Sequence, residues 1–461
     1  MTRHDRDSWG DEIHFTPDGP SRCEMAGHAL HGATEPPSSS HTNSTSMKTK
    51  TLLFLSTASL LHAGTPDIET PLAAEPEPWI KPVIDIRARY EFGDVDTFDP
   101  SHALTTRERL GLKTKAWNGF SALIEGEFSQ AIIDDYNGGA GPDADPFDPA
   151  NTAIFDPETN ELNQAYLQYE GFDTTFRAGR QRIIYDNAAF VGNVGWRQNE
   201  QTYDAISITN KSVDGLTLNY AYINQVNRIF GSDADSSVGF LPGFTNVQDL
   251  QSSIHLVNGS YAGISGVTLG GYAYIMNFED LGAWDNNTFG LSAKGTLGGI
   301  ALYGELAWQD KAGLLGEEEA LYAHTTATKT FGAQSLTLGL EHLDAGFKTP
   351  LATVHAFNGF ADVTDGARLS GAHNGLTDLY VSHTIPIFYG IKWMNVLHAM
   401  GDNEISTGYG WEYDSVLTKK FDDNFTAIAK FAHFESEGDA YVGPAALPTA
   451  TRVSLELNYT F

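Results

Sequence analysis

From Pro82 to Phe461 polar and apolar side chains change places at nearly every position, in runs of about ten residues separated by glycine-rich or acidic stretches. Period two over ten residues is the pattern of a tilted strand crossing a bilayer with one face in oil and the other in water. Eighteen such runs are predicted, from 83–92 at the start to 450–461 at the end. Their connections alternate in length. Short ones such as Asn118-Gly119, 171–173, 297–299, Gly332-Ala333 and 421–423 carry the turn residues of tight hairpins. Between them lie the long segments 129–160, 184–200, 225–251 and 344–374. Short periplasmic turns facing long extracellular loops predict an all-β transmembrane antiparallel barrel of about 18 strands.

The orientation of the wall follows from charge. In the first run Ile84, Ile86, Ala88, Tyr90 and Phe92 alternate with Asp85, Arg87, Arg89 and Glu91. In the second, Arg107, Arg109, Lys113 and Lys115 oppose Leu110, Leu112 and Ala116; in the third, Glu125 and Glu127 oppose Ile124, Gly126 and Phe128. An Arg or Lys facing lipid near the midplane costs about 2–4 kcal/mol, so the charged faces must look into a wet lumen. A one-residue slip would turn every side chain to the wrong side. Aromatic residues at run ends, among them Trp117, Phe120, Trp308, Phe331, Trp393 and Trp411, suit the headgroup level. The final run ends Leu455, Leu457, Tyr459, Phe461, and its Tyr459 and Phe461 resemble a C-terminal outer-membrane assembly signal, implying the outer-membrane assembly machinery and the lipid bilayer as partners.

Composition agrees with strands rather than helices. Of 461 residues 41% are hydrophobic, mean hydropathy is -0.27, and no apolar run approaches the ~18 needed for a spanning helix. The longest, 52–61, follows Met47, Lys48 and Lys50 and leads to Ala63 and Gly64. That layout predicts a signal peptide at 47–63 behind a mis-called or disordered extension, 1–46, then a short periplasmic segment, 64–81, and the barrel, 82–461. The expected location is the bacterial outer membrane. The single cysteine, Cys23, falls in the extension and leaves the barrel without thiol chemistry. A formal net charge of -31 excludes a nucleic-acid partner, which needs a basic face.

Candidate chemistry lies inside the predicted lumen. Arg87, Arg89, Arg107, Arg109, Lys113, Lys115, Arg177, Arg180, Arg182 and Arg197 crowd the first part of the chain and predict a basic strip on one wall. Fixed positive charge draws anions into a pore. The alternative is that these cations pair with Asp85, Glu91, Glu125 and Glu127 across neighbouring strands. Strict alternation turns Arg180 to lipid unless a bulge at Gly179 or loop contacts redirect it. Asp134, Asp135, Asp143 and Asp145 in the loop 129–160 are oxygen ligands that could hold calcium, although their spacing is not that of an EF-hand, and a solvated acidic loop is the simpler reading. Nucleophile elbows, zinc spacings and phosphate loops are not found, so neither an enzyme nor a cofactor is expected.

Two sequence blocks carry a family resemblance. Residues 177–187 (Arg-Ala-Gly-Arg-Gln-Arg-Ile-Ile-Tyr-Asp-Asn), with Phe190-Val191-Gly192, Trp196-Arg197-Gln198-Asn199 and Tyr203-Asp204-Ala205, form the first. Residues 349–362, with Gly375-Leu376-Thr377-Asp378-Leu379-Tyr380, form the second. The chain from Pro82 onward resembles the alginate export family of outer-membrane porins. The resemblance implies an eighteen-stranded monomeric barrel that passes an anionic polysaccharide or oligosaccharide through a basic lumen. A general or nutrient-specific porin for small solutes is the runner-up, and a secreted all-β carbohydrate-active enzyme is the reading from another class.

Overall fold

The computed structural model describes residues 78–234, 249–279, 281–316, 318–403 and 408–461. The expected extension, 1–46, the expected signal peptide, 47–63, and the first part of the expected periplasmic segment, 64–77, lie outside the described residues.

The first six strands are β1 (Ile80–Val95), β2 (Ser101–Thr114), β3 (Phe120–Asp135), β4 (Thr159–Gly171), β5 (Thr174–Gln181) and β6 (Thr202–Asn210). The next six are β7 (Leu216–Asn227), β8 (Leu250–Ile264), β9 (Val267–Phe278), β10 (Asn286–Leu297), β11 (Ile300–Ala312) and β12 (Glu318–Phe331). Then come β13 (Gln334–Leu343), β14 (Leu376–Pro386), β15 (Lys392–Gly401), β16 (Gly408–Lys420) and β17 (Phe425–Ser436). After β17 a two-stranded ribbon, β18 (Ala440–Val442) with β19 (Ala445–Ala446), decorates the last loop before the final wall strand, β20 (Ala450–Thr460).

Eighteen strands form one sheet, each antiparallel to its neighbour, and β20 pairs with β1 as well as β17, so the wall closes. The seam is finished by the C-terminal residue: the Phe461 N–H donates to the Ile84 carbonyl at 2.8 Å, and the Ile84 N–H donates back at 3.2 Å. Closure removes the sheet edges that lipid could not satisfy. The expected eighteen-stranded barrel is the one found. Some strands outrun their predicted ends; β3 continues to Asp135, because its ladder with β2 extends to the pair His102–Asp135.

Local chemistry fixes both rims. At one rim Asn118 (φ 50°) and Gly119 (φ 86°) take the two left-handed positions that a tight hairpin turn demands. The other rim carries long connections, including 136–158, 182–201 and 344–375. The outer surface is an apolar belt, exemplified by Ile124, Leu291, Leu306 and Leu397, with exposed aromatic residues such as Trp117, Phe172, Phe331 and Tyr389 at the short-turn rim.

The core sits inside the barrel. Inward residues Tyr203, Ile254, Tyr272, Tyr274 and Tyr322 pack against Phe190, Val191, Phe347 and Leu351, which arrive on two long loops. Phe190 meets Tyr322 edge-on with ring centroids 5.1 Å apart and Tyr272 at 5.3 Å. Two long loops thus fill the lumen beside strands β6 to β12 rather than standing in solvent.

The lipid belt gives a direct test. Ile124 is 56% exposed on the outer face of β3, so Ile124→Arg should destabilise the folded barrel by about 2–4 kcal/mol in vesicle-based equilibrium unfolding. An unchanged unfolding midpoint would mean that this face does not meet lipid.

Candidate functional site

The inward face of β1 presents Asp85, Arg87, Arg89 and Glu91, and β2, β3 and β20 add Arg107 with Arg109, Glu125 with Glu127, and Arg452 with Glu456. These charges are mostly shielded from water, because three loops fold onto them. Loop 136–158 delivers Asp156, loop 182–201 delivers Trp196, Arg197 and Glu200, and loop 344–375 delivers His355 and Asp362.

The pairing is continuous. The Arg89 side chain has 0% exposure; it is ion-paired to Asp156, also 0% exposed, lies 3.5 Å from Glu91, and donates to the Trp196 carbonyl at 2.6 Å. Arg197 bridges Glu91 at 3.3 Å and Asp362 at 2.9 Å, joining barrel wall to loop 344–375. Arg109 is paired with Glu127 and lies 3.7 Å from Glu200, which also holds Arg182. Backbone groups complete the set: the Glu200 N–H donates to Glu127 at 3.0 Å and the Gln198 N–H to Asp156 at 2.8 Å.

A stacked cluster pins both loops to β17. The His355 ring lies parallel to Trp196 with centroids 3.8 Å apart, and Lys430 Nζ sits 3.5 Å from the Trp196 centroid and 3.0 Å from His355 Nε2. His355 Nδ1 is 2.5 Å from Asp362. The loops are also tied to each other, by the Gly192 N–H donating to the Leu351 carbonyl at 2.8 Å and by Gln201 Nε2 bridging the carbonyls of Gly192 and Leu351.

The wall formed by β13 to β16 carries four inward carboxylates, Glu341, Asp378, Glu412 and Asp414. Arg368, from the short helix α1 (Asp365–Ser370), donates to Glu341 at 2.9 Å and to Asn358 at 2.6 Å. Asp378 holds His398 at 2.9 Å, Asp414 approaches that ring at 3.5 Å, and the Ala361 N–H donates to Glu412 at 2.7 Å.

Electrostatics in the loops follow from these contacts. Burial opposes ionisation of Glu200, yet Arg109 and Arg182 pull its carboxyl down from an ordinary 4.5 to about 2. Burial likewise opposes a charged Asp156, and Arg89, Arg197 and the Gln198 N–H hold it below its usual range. The Asp362 carboxyl is also low despite its burial, held by His355, Arg197 and Arg452. Burial, reinforced by Lys430, pushes His355 down to about 3 against the pull of Asp362, so at neutral pH the ring is uncharged beside an ionised carboxylate.

The predicted basic strip is therefore not a row of free cations. Arg89, Arg107, Arg109 and Arg197 are buried in ion pairs. Arg87 is 13% exposed and donates to the carbonyls of Gly195, Trp196 and Arg197 at 2.9–3.2 Å. Arg182 keeps 34% exposure while gripping Glu200, Arg177 lies over Tyr166 and donates to Gln168 at 2.5 Å, and Lys113 is exposed at the end of β2. Lys115 falls beyond β2, in the turn.

Arg180 is separate from this strip. The ladder of β5 with β4 and β6 runs without a shift from Thr174 to Gln181, so no bulge forms at Gly179. Arg180 sits on the face opposite buried Gln181 and is neutralised by its cross-strand partner Asp204, with bonds of 2.7 and 3.1 Å. As for calcium, Asp134, Asp135, Asp143 and Asp145 are exposed, and among the described residues no group of three or more His, Cys, Asp or Glu is arranged to hold a metal ion. Sequence reasoning passed over Trp196, Glu200, His355, Asp362 and Lys430. Alternation along β17 does point Lys430 inward, but no local pattern marks the loop residues that meet it.

No family model matches the chain, and no curated protein matches it. Among solved structures it is similar to Acinetobacter baumannii OccAB3, at 12% identity with a TM-score of 0.62 over 83% of this chain and 99% of that one. It is also similar to Pseudomonas aeruginosa OpdO, at 12% identity and TM-score 0.60 over 83% and 97%, and to Pseudomonas aeruginosa OpdL, at 14% and 0.59 over 83% and 98%. What is shared is the fold, the closed eighteen-stranded barrel of outer-membrane porins, and a barrel of this kind with an apolar belt is an integral outer-membrane protein. The alginate export resemblance gains no family match from these comparisons; the coarser assignment to a porin fold is what they carry.

Two consequences can be measured. Asp156→Asn leaves the desolvated Arg89 without its main counter-charge, so unfolding in detergent should come about 3–5 kcal/mol easier, as for other broken buried pairs; a loss below about 1 kcal/mol would remove the loop anchor from the account. A carboxyl whose pKa is lower folded than unfolded adds stability in full above the unfolded value, and that stability fades as pH falls through the folded one. For Glu200 the window runs from 4.5 down to about 2, with Asp156 and Asp362 acting in the same direction. Single-channel current should be quiet at neutral pH and become noisy within that window as the loops come free; constant noise throughout would contradict it.

Proposed function

We propose that this protein is a passive outer-membrane porin for small solutes, with a preference for anionic ones. The observation that carries the reading is the inward packing of loops 136–158, 182–201 and 344–375, whose buried ion pairs and aromatic contacts narrow the barrel. An eighteen-stranded wall alone would leave a wide aqueous channel. A loop-narrowed one suits nutrients better than polymers.

The charge preference is supported by which cations water reaches. Lys113, Arg177, Lys294 and part of Arg182 remain accessible, whereas Glu127, Asp156 and Glu200 are consumed in pairs. Accessible fixed positive charge favours anions in a pore.

A second reading, passage of an anionic oligosaccharide or alginate-like chain, is favoured by one observation. The two sequence blocks that resemble the alginate export family are the two loops zipped together in the lumen, through Val191 paired with Leu351.

Reversal potentials in a salt gradient should report anion preference, and replacing Lys113, Arg177 and Lys294 together with glutamine should move it toward cations. Unchanged selectivity in the triple variant would overturn the charge assignment. In liposome swelling, monosaccharides should enter and long oligouronates should not; transit of the long chains would favour the second reading.

A further inference from the structure

A groove of about 440 Å³ lies on the outer wall where β16, β17, β20 and β1 run side by side, close to the short-turn rim. Its floor is made of small residues. Ala427 and Ala429 point outward from β17, with Lys419 and Leu417 directly beside them on β16 and Leu457 and Leu455 directly beside them on β20. Ala88 of β1 continues the depression past Leu457. Strands two apart in a sheet are separated by about 10 Å, so the slot between the flanking leucines admits one hydrocarbon chain.

One charge stands on this groove. Glu456 also borders it, but its carboxylate turns into the barrel, 3.6 Å from both Arg87 and Arg89. Lys419 shares the outward face with Leu417, and among the described residues its ammonium donates to the Tyr389 carbonyl alone, with the Phe421 ring 5.8 Å away. An ammonium has three donors, so two are left over. The neighbouring acids are engaged: Asp423 holds Lys420 at 3.0 Å, and Asp422 accepts from the N–H groups of Asn424 and Phe425 at 2.9 and 2.7 Å. A lysine on the lipid face is tolerated where its stem covers apolar surface and its head reaches the interface. The exposed rings of Tyr389 and Phe421 mark the headgroup level here.

We propose that this groove is a binding site for one anionic phospholipid of the periplasmic leaflet, with an acyl chain lying along Ala427 and Ala429 and the phosphate oxygens accepting from Lys419. The alanines supply the shape and the lysine supplies the charge. Being on the outer wall, the site is independent of what the lumen conducts.

The probe is dioleoylphosphatidylglycerol, titrated into the full barrel in a nonionic detergent and counted by native mass spectrometry. One saturable lipid is expected, bound about fivefold more tightly than dioleoylphosphatidylcholine, the effect of one lysine on an anionic lipid. Lys419→Gln should erase that difference. Lys329→Gln should leave it unchanged, since Lys329 is an outward lysine on β12 that donates to the Gly299 carbonyl at 3.1 Å and does not border the groove. Ala429→Phe should fill the slot and weaken both lipids in a barrel whose folding is checked by heat-dependent gel mobility. Equal affinity for the two lipids, the same loss in Lys329→Gln as in Lys419→Gln, or undiminished binding in Ala429→Phe overturns the assignment. So does an oligomer that excludes lipid and dissociates in Ala429→Phe, because the groove would then receive a second copy of this chain.

Discussion

A guanidinium removed from water must be met by a carboxylate, and that requirement organises the interior of this barrel. The inner faces of β1 and β2 carry four arginines within a few residues of one another. Left alone in a wide lumen they would stay hydrated and repel each other. Three loops instead bring Asp156, Glu200 and Asp362 to the wall region, and in doing so exclude the water that made a bare arginine ladder tolerable. Docking of loop 136–158 and neutralisation of Arg89 go together, because a buried pair is stable only when both partners arrive, whereas Arg107 and Arg109 also meet Asp85 and Glu127 on neighbouring strands.

The exterior was legible from sequence because lipid judges each residue separately. Ile124 faces out and Glu125 faces in for reasons that need no knowledge of the rest of the molecule. The strand count, the alternation of turns with loops and the position of Tyr459 and Phe461 at the seam all follow from that local rule. The interior was not legible in the same way. Arg89 and Asp156 are 67 residues apart, and Arg197 and Asp362 are 165 apart; their meeting depends on closure of the wall, which no window of residues encodes. The run Arg197–Gln201 reads as polar loop, yet all five residues are buried. Cross-strand pairs form, as Arg107 with Asp85 and Arg109 with Glu127, but other partners, such as Asp156 for Arg89 and Arg197 for Glu91, come from loops rather than from neighbouring strands.

Two kinds of packing share the lumen. Toward β6 to β12 the loops are held by aromatic and aliphatic contacts, centred on Phe190 and Phe347, and toward β1, β2 and β20 by charge. Such a division lets one flank of the passage stay rigid under acid while the other loosens, since apolar contacts do not titrate. The large acidic excess of the chain is spent in part here, on answering arginine, histidine and backbone N–H groups from inside.

The closing seam has a topological consequence. Because Phe461 hydrogen-bonds beside Ile84 at the rim that also bears the two-residue turns Asn118-Gly119 and Gly298-Gly299, the wall has no privileged first strand. A peptide bridging β20 to β1, with a new opening cut at the Gly298-Gly299 hairpin between β10 and β11, would yield a circularly permuted chain with the same neighbours around the ring. Order of synthesis and architecture are, for this protein, separable properties.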